Sequence, residues 1–575
     1  MKKWLSALAL IILLCGCGAA PAAQAPEKAE QTASPAAEQT APGPAGSGEC
    51  GDSLTWTLDG SGTLTISGSG DMWDYEDTTL IGMGYQDVFC NPWRARSVRK
   101  IVVRDGVTGI GAHAFDGAGY EDSVTEIALP DSVAHIGEAA FKGLPGLAEI
   151  ALPDAVTDIT GVFFGCTGLR RIVIPKGVKV IGERAFSGCI ALESVTIPEG
   201  VTEIGSGAFS DCAALQTVSI PRSVTSIGSR AFSGCRSLTG AAIPGGVASI
   251  ESEAFLECAA LKELSIGFGV TSIGKNAFEN CTALTQLSLP ASVREIGARA
   301  FRGCAALEQA AMPAVMNELG EAAFADCAAL RQIEIPEGVT CIRRETFRSC
   351  GALTDVSIPA SVREIGFGAF FYCYALERIR ISDLAAWCGI DFDTAHAEAM
   401  SSPTYYAEHL WLDGAEITEL TLPDGVTAIG PYTFFNFRYI TRVFLPAGVT
   451  DVARGAFDFC TRLTAFDVSP DNPVFCAPDG MLCTKDMATL LRCPTGMVGT
   501  CAVPDGVKTV GARAFNNCGA LTEIALPAGL TAIGRDAFSG CRILTDIRFG
   551  GSEAQWRAID MRGEPIPASV AVHFS

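Results

Sequence analysis

A 23-residue repeat is the feature that most constrains how this chain of 575 residues can fold. The segment from Pro198 to Ile220, PEGVTEIGSGAFSDCAALQTVSI, is followed at once by PRSVTSIGSRAFSGCRSLTGAAI, which ends at Ile243. The phenylalanine of the repeat recurs at intervals of 23 at Phe186, Phe209, Phe232, Phe255, Phe278, Phe301, Phe324, Phe347 and Phe370. Flanking copies place it at Phe115, Phe141, Phe163, Phe434, Phe457, Phe515 and Phe538. A short, fixed period of this kind predicts a solenoid, in which neighbouring coils bury each other's apolar faces.

Each repeat contains the pattern L-x-x-[IVL]-x-[ILV], in which apolar and polar residues alternate. Alternation with a period of two predicts a β-strand with one face inward. The strands of successive coils are expected to pair in a parallel sheet with a spacing of about 4.8 Å. Proline directly follows most of these strands, and because it has no N–H it ends the ladder there. The sequence therefore predicts a β-rich solenoid of 23-residue coils with a parallel β-sheet.

The chain has 23 cysteines, and most of them share one position of the repeat. Three residues after the phenylalanine stand Cys166, Cys189, Cys212, Cys235, Cys258, Cys281, Cys304, Cys327, Cys350, Cys373, Cys460, Cys518 and Cys541. Flanking coils place Ala118, Leu144 and Phe437 there, so we expect a buried apolar position in which cysteine acts as a small hydrophobe. We expect any disulfide elsewhere, between Cys50 and Cys90 or among Cys476, Cys483, Cys493 and Cys501.

The first residues have the layout of a secretory signal. Lys2 and Lys3 precede an apolar run that ends at Leu14, too short for the roughly 20 residues of a membrane span. The following Leu-Cys-Gly-Cys resembles the bacterial lipobox, which implies lipidation of Cys17 and anchoring on the outer side of a membrane. Ordinary signal-peptidase cleavage near residues 19–20 is the alternative.

Composition divides the rest of the chain. Residues 18–48 are rich in alanine and proline and have no aromatic residue, which predicts a disordered tether. Apolar residues alternate on both sides of Asp59-Gly60-Ser61-Gly62, which predicts a hairpin in an N-terminal cap, and Ser552 with Gln555 predicts a capping box on a short C-terminal helix. The predicted segments are 1–17 signal peptide and lipobox, 18–48 tether, 49–97 N-terminal cap, 98–382 repeats, 383–416 aromatic insertion, 417–549 repeats with an insertion at 467–500, and 550–575 C-terminal cap.

The first insertion is the candidate ligand-binding region, because aromatic side chains are the usual anchors of binding hot spots. Its candidate residues are Trp387, Phe392, Tyr405, Tyr406 and Trp411. The alternative is that these rings form a small core that holds the insertion onto the solenoid. A rival binding face is the row of outward-facing residues on successive strands, which are Thr196, Ser219, Ser265, Ser288 and Ser357, with Ala242 and Ala311 between them.

No catalytic, metal or cofactor site is predicted. The first insertion holds Asp391, Asp393, His396, Glu398 and His409, but their spacing matches neither a calcium loop nor a zinc helix. G-x-S-x-G, the phosphate-binding glycine loop and Cys-x-x-Cys are all missing from the sequence. With 42 Lys and Arg against 64 Asp and Glu, the net charge of −22 argues against nucleic acid as a partner.

The repeat I-G-x-x-A-F-x-x-C-x-x-L resembles the BspA-like leucine-rich repeats of bacterial surface proteins over roughly residues 50–575. The segments LTWTLDGSGTLTISGSG, DLAAWCGIDF, NPVFCAPDGMLCTKDMATLLRCP and GGSEAQWRAI are also similar to that family. The resemblance implies a non-enzymatic surface protein that binds a protein or cell-surface ligand, as an adhesin does, and the lipobox implies that this protein is lipid-anchored. The alternative function is a structural or glycan-binding component of the organism's own envelope.

Overall fold

The computed structural model describes residues 46–77, 88–94, 96–117, 124–392, 402–562, 566 and 569–575. The predicted signal peptide, the lipidation site Cys17 and most of the predicted tether lie outside these residues, as do Asp393, His396 and Glu398 of the first insertion. Within the described residues, no helix combines the length and the hydropathy that a membrane span requires.

In most coils one strand pairs with the same strand of the next coil, and we call this series the front sheet. Its hydrogen-bonded pairing is interrupted after Ala128, Ile266, Leu412 and Val468. The pairing is parallel, so that Thr196 lies opposite Ser219, and Ala242 lies opposite Ser265, at an offset of one repeat. The strands of the front sheet are Thr63–Gly68, Lys100–Val103, Glu126–Ala128, Glu149–Ala151, Arg171–Val173, Ser194–Thr196, Thr217–Ser219, Gly240–Ile243, Glu263–Ile266, Gln286–Ser288, Gln309–Ala311, Gln332–Glu334, Asp355–Ile358, Arg378–Ile381, His409–Leu412, Glu419–Thr421, Arg442–Leu445, Ala465–Val468, Gly499–Ala502, Leu521–Leu526, Asp546–Phe549 and Ala571–Phe574.

A second series of shorter strands, the side sheet, comes from the V-T-x-I part of the repeat. Each contributes mostly two residues, with the isoleucine inward and its neighbour outward, as in Glu203–Ile204. The strands are Gly70–Asp71, Val107–Ile110, His135–Ile136, Val180–Ile181, Glu203–Ile204, Ser226–Ile227, Ser249–Ile250, Ser272–Ile273, Glu295–Ile296, Glu318–Leu319, Cys341–Ile342, Glu364–Ile365, Asp391–Phe392, Ala428–Ile429, Asp451–Val452, Thr489–Arg492, Thr509–Val510, Ala532–Ile533 and Asp560–Met561. Together the two series confirm the predicted β-solenoid with parallel sheets.

The repeated phenylalanines form a continuous stack inside the regular coils. Phe278 is fully buried, and its ring lies 5.3 Å from that of Phe255 and 5.4 Å from that of Phe301, with planes within 6° of parallel. The ring spacing follows the strand spacing because each coil contributes one ring. No coil can bury this ring without its neighbours, so the stack couples the stability of adjacent coils.

All of the repeated cysteines except Cys541, which is partly exposed, are buried, and they also make a polar contact that the sequence did not predict. The Sγ atom of Cys304 donates to the backbone oxygen of Phe278 in the preceding coil at 3.4 Å, and Cys189 does the same to Phe163 at 3.2 Å. Burial raises the pKa of the Cys304 thiol to about 12, so the thiol keeps the proton that it donates. Every cysteine of the described residues is a free thiol. The position therefore combines a small apolar volume with one weak donor.

Irregular elements lie at both ends and at the two insertions. At the N-terminal end Gly46–Gly51 and Leu54–Leu58 pair antiparallel, and Leu54–Leu58 forms the predicted hairpin with Thr63–Gly68. At the other end the helix Glu553–Arg557 begins with the predicted capping box, in which Ser552 and Gln555 bond reciprocally. The remaining elements are the helix Leu384–Cys388, the 3₁₀ turns Pro403–Tyr405 and Pro478–Gly480, and the strands Ala415–Glu416, Phe475–Cys476 and Leu482–Thr484.

Candidate functional site

The structure places the five aromatic residues of the first insertion in three different environments. Trp387 and Phe392 are buried, with ring centroids 5.7 Å apart in an edge-to-face arrangement. The indole N–H of Trp387 donates to the backbone oxygen of Thr433 at 3.1 Å, which ties the helix Leu384–Cys388 to the coil that follows the insertion. These two rings hold the insertion in place, and they do not contribute to the contact surface proposed below.

Tyr405 and Tyr406 lie at the surface, where they meet two tyrosines of the preceding regular coil. The ring of Tyr406 lies 5.0 Å from that of Tyr405 and 5.8 Å from that of Tyr374, both edge to face. Tyr372 continues the row at 5.8 Å from Tyr374, and its backbone N–H donates to the Tyr406 hydroxyl at 3.0 Å. Tyr374 is 73% exposed. The insertion and the coil before it therefore share one aromatic surface.

The row extends into the coils that follow the insertion. Tyr405 stacks on Phe435 at 6.1 Å, and Phe435 contacts Tyr432 at 5.8 Å and Phe459 at 5.1 Å. We call the connected side chains the aromatic strip, and they are Phe371, Tyr372, Tyr374, Tyr405, Tyr406, Tyr432, Phe435 and Phe459. Of the residues in the strip, only Tyr405 and Tyr406 were predicted as binding residues from the sequence, because the others stand within the regular repeats. The sequence did contain a signal for the others, since they are aromatic residues at repeat positions that elsewhere hold small or polar residues.

Three residues of the strip have a left-handed backbone conformation. The φ angles are 64° in Tyr372, 62° in Tyr432 and 66° in Phe459, in the region that disfavours bulky side chains. In regular coils the position of Tyr372 and Phe459, two residues after the phenylalanine, holds Gly188, Asp211, Gly234, Glu257, Asn280, Gly303, Asp326 and Ser349. A bulky residue there costs about 1–2 kcal/mol, and burial of part of each ring offsets some of that cost, since Tyr372 is 44% exposed and Phe459 37% exposed. Both rings therefore stand at a strained position where the regular coils place small or polar residues.

Replacement of Tyr372 by glycine is the direct test of that strain. The Tyr372→Gly variant keeps the N–H that donates to Tyr406, so we expect the free energy of unfolding to stay constant or rise by about 1 kcal/mol. Urea denaturation followed by circular dichroism measures the change. The matched control is Ser349→Gly, which alters the same position one coil earlier. A loss of more than 1 kcal/mol in Tyr372→Gly alone would show that the ring supports the fold.

Trp411, the fifth candidate, lies on the front sheet. It pairs with Arg380 in the adjacent strand, and the guanidinium of Arg378 lies 5.2 Å from its ring centre. Its indole N–H is buried without a hydrogen-bond partner in the described part of the chain. Thr196, Ser219, Ser265 and Ser288, with Ala242 and Ala311, line the exposed side of the same sheet, so the rival face of small residues also exists.

Of the residues considered as metal ligands, the two that the structure describes lie in separate contacts. Asp391 lies in the side sheet, whereas His409 lies in the front sheet with its Nδ1 2.6 Å from Glu416. Asp77, His113 and Asp116 do converge near the N-terminal end. The Nζ of Lys142, however, lies 2.8 Å from an Asp77 carboxylate oxygen and 3.7 Å from Asp116. The lysine already supplies the positive charge that this cluster requires, so we assign no metal to it.

The coil of one front strand, one side strand, a buried phenylalanine and a buried cysteine defines a leucine-rich-repeat solenoid. Models of the BspA-type leucine-rich repeat region match residues 87–186, 160–285, 271–386, 408–474 and 497–557. The matches cover well over half of the sequence, and the chain belongs to the BspA-type leucine-rich-repeat family. This family consists typically of cell-surface proteins whose repeats serve as a scaffold for binding other proteins.

Solved structures of bacterial leucine-rich-repeat proteins are similar to this chain. One from Bacteroides ovatus is 22% identical, covers 91% of this chain and 98% of its own, and has a TM-score of 0.37. A leucine-rich cell-surface protein from Faecalibacterium prausnitzii is 26% identical over 60% of this chain and 97% of its own, with a TM-score of 0.33. A leucine-rich-repeat protein of T. pallidum is 26% identical over 41% and 91%, with a TM-score of 0.26. No curated protein matches the sequence.

Proposed function

We propose that this protein is a non-enzymatic, lipid-anchored surface protein that binds a protein on another cell or in its surroundings, as an adhesin does. The observation that carries the proposal is the aromatic strip, with the strained, exposed rings of Tyr372 and Phe459. Tyrosine is among the residues that contribute most to protein interfaces, because its ring gives a large contact area with few rotatable bonds. Anchoring through Cys17 would place the strip outside the cell.

Charge favours a protein over a polyanionic glycan as the ligand. The chain has a net charge of −22, so a phosphate-rich or uronate-rich polymer would be repelled over most of the surface. Near the strip, Arg438 pairs with Glu408 at 2.8 Å, so a neighbouring carboxylate balances the charge of this arginine. A neutral or basic protein surface fits this combination of aromatic rings and acidic surroundings.

A binding screen with the purified chain tests the proposal. The protein is applied to immobilised extracellular-matrix proteins, to intact host cells and to purified peptidoglycan, at two salt concentrations. We expect saturable binding to a protein or to cells, and loss of that binding after protease treatment of the target. Binding confined to peptidoglycan would overturn the proposal in favour of the envelope-component alternative. A variant lacking residues 383–416 shows whether the insertion contributes.

A further inference from the structure

The coil that begins in the second insertion, at its C-terminal end, contains sulfur at positions that regular coils fill with hydrocarbon. The backbone N–H of Cys493 donates to the oxygen of Ala514 at 2.7 Å, as that of Phe515 donates to Ala537 at 2.9 Å in the next coil. Cys493 therefore occupies the position of the stacked phenylalanine. Cys501 lies opposite Ile524 in the front sheet and so occupies an inward aliphatic position.

Three sulfur atoms of this coil converge on one point. The Sγ of Cys493 lies 3.6 Å from the Sδ of Met497 and 3.9 Å from the Sγ of Cys501. The Sγ of Cys501 lies 3.8 Å from the Sδ of Met497, so the three distances form a nearly equilateral triangle. An ion in the plane of that triangle would lie about 2.2 Å from each sulfur, close to the metal–thiolate distance of about 2.3 Å known for zinc.

We propose that Cys493, Met497 and Cys501 form a three-coordinate site for a soft monovalent metal ion, Cu(I) above all. Two thiolates and a thioether are donors that Cu(I) prefers, whereas zinc sites in proteins use thiolate, imidazole and carboxylate ligands and not a thioether. Binding replaces the two thiol protons by one ion, which enters as Cu(I), so no change of oxidation state is involved.

The surroundings of the three sulfur atoms are also compatible with a bound ion. Cys493 and Cys501 are buried, whereas Met497 is half-buried and next to the exposed Val498, which gives the ion a route from solvent. A fourth sulfur, Cys518, lies nearby, but its thiol is directed at the backbone oxygens of Cys493 and Pro494, each at 3.8 Å. The site thus has three donors within an apolar cluster, and Met497 is the donor nearest the surface.

The signature C-x₃-M-x₃-C, written CPTGMVGTC, is visible in the sequence. This signature matches no metal-binding motif based on pairs of cysteines. For that reason the sequence predicted these cysteines only as candidates for a disulfide. Methionine was the missing component, because a thioether is an ordinary core residue unless thiols converge on it.

Titration of the full, reduced chain with Cu(I) under anoxic conditions, in competition with the chelator bicinchoninate, tests the site. We expect one tight equivalent per chain, release of two protons, and X-ray absorption showing about three sulfur neighbours at about 2.2–2.3 Å. Met497→Leu, which keeps the volume without the thioether, should weaken binding at least about 10-fold, and Cys501→Ser should weaken it further. Binding should raise the melting temperature of the wild type and much less that of Met497→Leu.

Cys304→Ala is the matched control, since it removes a buried thiol of the regular coils and should leave Cu(I) affinity unchanged. Circular dichroism verifies that each variant is folded. Three results would overturn the proposal. The first is equal Cu(I) affinity of Met497→Leu and wild type, and the second is a wild-type affinity for Zn(II) equal to that for Cu(I). The third is a Cys493–Cys501 disulfide in protein isolated without reductant. A negative result in the adhesion experiments would not contradict this metal site, because the aromatic strip and the metal site involve different parts of the chain.

Discussion

Phe278→Ala is expected to lower the free energy of unfolding by about 3–5 kcal/mol, the range measured for large-to-small changes of buried aromatic residues. The ring is fully buried between Phe255 and Phe301. Its removal leaves a cavity in the middle of the stack, which the two neighbours cannot close because the paired strands fix the coil spacing. Urea denaturation gives the total loss, and hydrogen exchange should locate it in the coils around residue 278.

Phe268→Ala is the matched control for this variant. Phe268 is in the neighbouring turn but is 85% exposed, so its removal should change the free energy of unfolding by less than about 0.5 kcal/mol. If the two variants lost the same stability, the stacked rings would not be the main stabilising contact. A loss spread evenly over the whole chain would contradict the nearest-neighbour coupling expected of a solenoid.

The double variant Tyr374→Ala/Tyr405→Ala is expected to weaken binding of the partner found in the screen by about 30-fold or more. Hot-spot aromatic residues contribute at least about 2 kcal/mol each when removed, and a loss of 2 kcal/mol corresponds to about 30-fold in affinity. Tyr374 is 73% exposed and Tyr405 is 41% exposed, so we expect the melting temperature to stay within a few degrees of wild type. Surface plasmon resonance measures the affinity.

Two further variants make this result decisive. Phe268→Ala removes an exposed ring away from the strip and should leave affinity unchanged. Ser219→Arg places a large side chain on the exposed face of the front sheet and should also have no effect. A loss of affinity in Ser219→Arg, with normal binding by the tyrosine double variant, would assign binding to the row of small residues instead. The same pair of variants therefore separates the two rival faces.

Periodicity made most of the fold predictable. Because every coil repeats the same register, one alignment of Phe186 with Phe209 is sufficient to derive the parallel pairing, the ring stack and the buried cysteine row. Both ends could be predicted as well, since a hairpin and a capping box are local patterns. The thiol-to-carbonyl contact of the cysteine row was not predictable, because apolar residues such as Leu144 fill the same position and conceal the role of the donor.

The periodicity of the sequence does not predict which of the candidate binding residues are exposed. Within the first insertion, Trp387 and Tyr405 are equally aromatic, and no repeat relates them to a neighbouring coil. Only the tertiary contacts show that Trp387 is buried against the coil of Thr433, whereas Tyr405 joins Tyr374 at the surface. A sequence pattern identifies which residue types are present, but burial depends on which coil the insertion packs against.

The sequence by itself determined the solenoid, its coil length and the membership of its core, because a period of 23 residues leaves a single way to bury the apolar positions. The tertiary structure decided which of the functional candidates come together. It joined Tyr405 and Tyr406 of the insertion to aromatic residues of the neighbouring coils, and it placed the sulfur atoms of Cys493, Met497 and Cys501 3.6–3.9 Å apart. The physical reason is the same in both cases: these sites form where the repeat is interrupted, and there the chain path depends on packing and not on the period.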